Sequence, residues 1–111
     1  MSRRLLTPDV ATAPLEHAAL PPGDVVSGTP SAAALTLDTV GGAEVGIWEM
    51  TEGTARDTEV DEVFVVLSGR GYVTFADGER ITLLPGVAVR LRAGEHTEWT
   101  VTERVRKVWV A

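Results

Sequence analysis

The 111-residue sequence contains no cysteine. That absence removes disulfide cross-links, thiolate metal sites and a cysteine nucleophile together, and it fits a reducing compartment. Positive charge is also short: ten lysine and arginine residues stand against sixteen aspartate and glutamate, a net charge of −6. Nucleic acid and anionic membrane surfaces both call for a basic footprint, so neither is an expected partner. No apolar run approaches the roughly eighteen residues of a membrane span. Arg3-Arg4-Leu5-Leu6 opens as a targeting signal does, but Pro8 and Asp9 end the apolar stretch almost at once. The expectation is a soluble, cytoplasmic protein. Phosphate-cradling glycine loops, nucleophile elbows and paired-histidine helices are missing as well. What remains is 44 % apolar content in a chain of one-domain length, enough to bury a core.

The composition changes near residue 34. Residues 1–33 hold five of the six prolines (Pro8, Pro14, Pro21, Pro22, Pro30) and many alanines. Proline removes backbone donors and restricts its neighbours, which predicts an extended arm with one short helical turn around Leu15–Leu20. Such an arm is either a flexible tail or a strap on the domain or on a second subunit, with Leu15, Leu20, Val25 and Val26 supplying contacts. Residues 34–111 form short runs rich in Val, Ile, Thr, Trp and Phe: 34–40, 44–50, 62–67, 72–75, 80–84, 87–92, 98–102 and 105–110. Turn residues separate them, and Asp77-Gly78 is a strong hairpin signal because the primed turn needs positive φ. About eight short strands without a helical period predict an all-β, single-domain antiparallel barrel or jelly roll. Alternation gives Glu62, Phe64 and Val66 one face and Val63, Val65 and Leu67 the other, so that strand is expected to be covered on both sides.

Glu62, six intervening residues and Gly69 resemble the end of the first cupin motif, and Pro85-Gly86 with Ala93-Gly94-Glu95-His96 resembles the second. Gly46-Ile47-Trp48-Glu49, Glu52-Gly53, residues 97–101 and residues 106–110 extend the likeness to the small cupins related to the ureidoglycine aminohydrolase cupin domain. The resemblance covers residues 44–110 and implies a cupin barrel that dimerises. Metal-binding cupins carry a His-x-His pair before the motif glutamate and a third histidine after the second turn. Here residues 53–61 contain no histidine, the chain has only His17 and His96, and the family histidine aligns with Thr97.

Glu62 is the leading candidate: a lone charge on an apolar face inside a barrel is desolvated, which raises a carboxyl pKa. It is a metal ligand, a general acid or base, an anchor for a ligand amine or hydroxyl, or a structural carboxylate satisfied by Arg90, a tyrosine or backbone groups. His96, in a loop at the barrel mouth, is a second ligand or proton shuttle or an idle surface histidine. Trp48, Phe64, Tyr72 and Trp99 are expected to line a ligand pocket with Glu62, while Trp109 goes to the core or an interface. Asp57, Glu59 and Asp61 read as an acidic solvated loop, since Asp61 and Glu62 point to opposite faces. Arg104, Arg106 and Lys107 read as a charged edge.

The first reading is a cupin that binds a small polar molecule, cationic given Glu62, with little or no metal. The second is a metal-dependent enzyme resembling ureidoglycine aminohydrolase, with Glu62 and His96 holding a weakly bound divalent ion or moving a proton. The third is a non-catalytic structural or regulatory homodimer.

Overall fold

A computed structural model describes residues 4–111, so the first three residues of the arm and of the targeting-like segment lie outside the described residues. The strands are β1 (Ala18–Ala19), β2 (Val25–Ser27), β3 (Ser31–Val40), β4 (Ala43–Met50), β5 (Gly53–Thr58), β6 (Glu62–Phe75), β7 (Arg80–Leu83), β8 (Ala88–Leu91) and β9 (His96–Val110). All pairings are antiparallel and join the strands in one curled sheet. The all-β barrel read from the strand pattern is what the chain forms. Among the described residues no helix is long and apolar enough to cross a membrane.

β9 is the strand around which the rest is built. One of its edges pairs with β5 through residues 96–101 and with β4 through residues 105–110, while its other edge pairs with β6 along most of its length. The runs 62–67 and 72–75 fuse into one 14-residue strand, and 98–102 and 105–110 into one of 15. Bulges around Ser68–Gly71 bend β6 where two separate strands were expected. Gly69 sits there at φ +95°, and a Cβ would collide with the Arg104 carbonyl. The Asp77-Gly78 hairpin forms as expected, with Gly78 at φ +94°.

Inward-facing Met50, Phe64, Val66, Val73, Leu83, Leu91, Val101 and Val105 fill the core. The other face of β6 departs from expectation: Val63 and Val65 are 46 % and 41 % exposed, so no described residue covers them fully.

The arm is extended and docked. β1 pairs with β3 and β2 with β5, placing arm segments at both ends of the strand path. The helical turn expected around Leu15–Leu20 falls instead at Pro22–Asp24, because Pro21-Pro22 hold the preceding residues extended. Arg106 Nη1 donates to the carbonyls of Val10 and Ala13, tying the arm to β9.

Candidate functional site

β4, β6 and β9 bring three aromatic rings together inside the barrel. Trp48 and Trp99 lie 5.3 Å apart and Phe64 and Trp99 5.5 Å apart, both pairs tilted. Lys107, whose cross-strand partners are Trp48 on β4 and Val66 on β6, projects into this group. Its Nζ lies 4.2 Å from the Phe64 ring centre and 4.8 Å from those of Trp48 and Trp99. It donates to Glu62 Oε2 at 2.6 Å. The aromatic faces offer the ammonium their negative quadrupole, but little of the solvation that water would provide. Burial therefore pulls Lys107 below the usual lysine range, while Glu62, and more distantly Glu59 and Asp57, oppose that shift without cancelling it.

A cavity of about 510 Å³ adjoins the pair, walled by Trp48, Trp99 and Trp109 and edged by Asp24, Glu44, Asp57, Glu59 and Glu62 against Arg56 and Lys107. Glu59 is buried and accepts from Thr97 Oγ1 at 2.6 Å and from Trp99 Nε1 at 3.0 Å. Asp57 keeps part of its surface in solvent, yet its surroundings desolvate it and the Glu59 charge adds repulsion, so its carboxyl is pushed up to about 6. The cavity wall thus carries a carboxylate that titrates close to neutrality.

Of the pocket residues read from the sequence, Trp48, Glu62, Phe64 and Trp99 come together here. Tyr72 and His96 do not: both line a separate cleft with Arg56, Thr74 and Arg80. The Arg80 guanidinium lies over the Tyr72 ring at 4.1 Å. His96 Nδ1 meets Thr58 Oγ1 at 3.2 Å, on the exposed side of β5 and β9. The partner of Glu62 is Lys107 and not Arg90, which instead bonds Asp61 and the Leu91 carbonyl.

Two expectations are corrected. Arg106 and Lys107 are no solvated edge, being 8 % and 5 % exposed, because β9 is flanked on both edges and the arm covers the face opposite the cavity. Glu59, in the loop between β5 and β6, is no solvated charge but a buried hydrogen-bonded carboxylate. Lys107 is the residue that sequence reasoning missed. Its signal was available: it is the chain's single lysine, and alternation sets it on the strand face shared by Val105 and Trp109.

The residues present do not fit the metal that the cupin resemblance implies. Lys107 already occupies the Glu62 carboxylate, Thr97 stands at the aligned histidine position and bonds Glu59, and His96 lies on the other cleft. Among the described residues no three His, Cys, Asp or Glu side chains cluster as a metal site would require.

Similarity to solved structures follows the same outline. A protein of unknown function from Pseudomonas syringae pv. tomato superposes with a TM-score of 0.77 at 25 % identity, over 92 % of this chain and 45 % of that one. This chain therefore spans under half the length of that relative. The EutQ protein of Clostridium difficile matches with a TM-score of 0.66 at 22 % identity, over 83 % and 73 % of the two chains. A putative ethanolamine utilization protein Q from Salmonella typhimurium matches with a TM-score of 0.62 at 17 % identity, over 90 % and 96 %. No match is found among curated proteins. The family model for the EutQ-like cupin domain matches residues 37–109, from β3 through β9 and including every residue of the aromatic cage, and the chain belongs to that family.

Proposed function

We propose that this cupin binds a small polar, positively charged molecule in the barrel cavity without a metal ion. The observation that carries the reading is the cavity wall, where, among the described residues, three tryptophans stand beside five carboxylates and two basic side chains. Aromatic faces and excess negative charge both favour a cation over an anion or a neutral apolar ligand. Lys107 supports the metal-free part, since its ammonium takes the carboxylate that a divalent ion would need. Homodimerisation completes the proposal: Val63 and Val65 are exposed on the outer face of β6, and Val63 is the cross-strand partner of the exposed Val110.

Ethanolamine is a suitable first probe, being small, polar and cationic, and the Salmonella relative is named for its utilization. Tryptophan emission is titrated with ethanolamine, putrescine, agmatine and the neutral control glycerol. A saturable change with at least one amine and none with glycerol is expected. No saturable response to any of the amines overturns the reading, and a response to glycerol alone removes its charge preference. The finer resemblance to ureidoglycine aminohydrolase is checked in the same series by assaying ammonia release from ureidoglycine, with and without added Mn²⁺. Light scattering reads the dimer.

A further inference from the structure

Every basic side chain but one is arginine, and the single lysine is the buried Lys107. Its neighbour Arg106 shows that the same strand buries a guanidinium where fixed hydrogen bonds are needed. Lys107 is held differently. An ammonium has three donors, yet among the described residues the only hydrogen bond recorded for this one goes to Glu62, and the rest of its surroundings are ring faces and the cavity. An amine in a desolvated apolar setting, with a carboxylate at hydrogen-bond distance to take its proton, has the makings of a nucleophile.

We propose that Lys107 forms an imine with the carbonyl carbon of a small aldehyde or ketone held in the cavity, with Glu62 carrying the protons. The proposal rests on the reading of the cavity as a small-molecule site and names the functional group its ligand would carry. Glu62 takes a proton from the ammonium, and the freed lone pair forms the C–N bond as the carbonyl π pair moves to oxygen. That oxygen takes the proton back from Glu62, giving a carbinolamine. Glu62 then removes a second proton from nitrogen and delivers it to the hydroxyl, which leaves as water while the nitrogen lone pair forms the C=N bond. The sum is ammonium plus carbonyl giving iminium plus water, with no change of oxidation state. The resting ammonium–carboxylate pair becomes an iminium–carboxylate pair, so the buried charge stays compensated throughout. Burial that disfavours the ammonium works in the same direction.

The test uses the tag-free full chain with glycolaldehyde and sodium cyanoborohydride near neutral pH, read by intact mass and peptide mapping. Hydride from the reductant converts an imine to a stable hydroxyethyl amine. Only two primary amines exist to compete, Lys107 and the α-amine, whose ordinary pKa of about 8 makes it the default target. Lys107 is expected to label at least as fast as the α-amine in native protein. Labelling at Lys107 should slow roughly tenfold or more in Glu62→Gln, and only the α-amine should react in Lys107→Arg. Label confined to the α-amine of native protein, with Lys107 reacting only after denaturation, overturns the proposal. This wild-type comparison decides the matter even if a variant fails to fold. Should Lys107 stay unlabelled while tryptophan emission still saturates with an amine, the imine falls and the binding reading stands. If neither occurs, both fall. Labelling without any amine response keeps the imine and removes the preference for a cation.

Discussion

Arg106 and Lys107 are consecutive, both buried, and each lies 2.6 Å from a glutamate, yet they sit in two different kinds of place. Arg106 faces the arm. Its Nε bonds Glu49 and its Nη1 bonds two arm carbonyls, while Glu49 also meets His17 from the arm at 2.8 Å and Arg104 at 3.5 Å. The cluster is held by fixed partners, and among the described residues none of its members lines the cavity beside Lys107. Lys107 faces the opposite way, into the aromatic cage, with one carboxylate and open space beside it. A planar guanidinium suits several acceptors at set angles, whereas an ammonium is a compact charge that can lose a proton. Equal ion-pair distances therefore say little about role. The number of remaining partners, and whether a cavity adjoins them, separates a latch from a site.

The largest effect expected from breaking this contrast is on the latch side. Arg106→Ala leaves Glu49 buried without its main partner and should cost about 3–5 kcal/mol, measured by urea unfolding. Limited proteolysis should then cut between Ala11 and Val25, where docking should protect the wild-type arm. Acid should act in the same direction. Burial alone would raise Glu49, but the hydrogen bonds from Arg106 and His17 and the charges of Arg106 and Arg104 outweigh it and hold the carboxyl below the ordinary 4.5. A carboxylate depressed in the folded state contributes fully above its unfolded pKa, and that contribution is lost as pH falls through the lower value. Arm protection should therefore persist at pH 6 and fade below about 4.5 in wild type, and Glu49→Gln should flatten this dependence.

Matched double substitutions sharpen the contrast at intermediate size. Glu62→Leu with Lys107→Met replaces the cage pair by apolar side chains of similar volume and should leave stability within about 1 kcal/mol of wild type or above it. Glu49→Leu with Arg106→Met should lose about 1–3 kcal/mol, because the Val10 and Ala13 carbonyls lose their donor. Equal outcomes for the two doubles, by urea midpoint, would erase the distinction. The smallest effect concerns the cavity wall. With Asp57 titrating at about 6, amine binding followed by tryptophan emission should weaken about fivefold as pH drops from 7 to 5, the worth of one unit charge a few ångströms away in a watery medium. Asp57→Asn should remove that step.

Much of the barrel was legible because turn chemistry is local. Asp77-Gly78 announces its hairpin, and the β-branched runs announce their strands. β5 was not legible. Gly53–Thr58 lacks an apolar alternation, and it is a strand only because Thr54 and Ala55 pack beside β9, where Thr54 and Thr100 share a hydrogen bond. Half of the site was legible: alternation set Glu62 and Phe64 on one face of their strand, and the family resemblance brought in Trp48 and Trp99. Lys107 was obscured because alternation assigns faces but does not say whether both faces are covered. That depends on β9 lying between β4 or β5 and β6, a long-range fact, and on the arm closing over the far side.

The arm latch also sets an order of events for the nascent chain. Val10 and Ala13 wait for a side chain 96 and 93 residues downstream, which at ordinary synthesis rates means roughly 5–20 s on the ribosome. β4, β5 and β6 wait as well, because β9 is a pairing partner of all three. Chains stalled before residue 96 expose Met50, Phe64 and Val66 along unpaired strand edges, so premature arrest yields a species for chaperones and proteases rather than a smaller barrel.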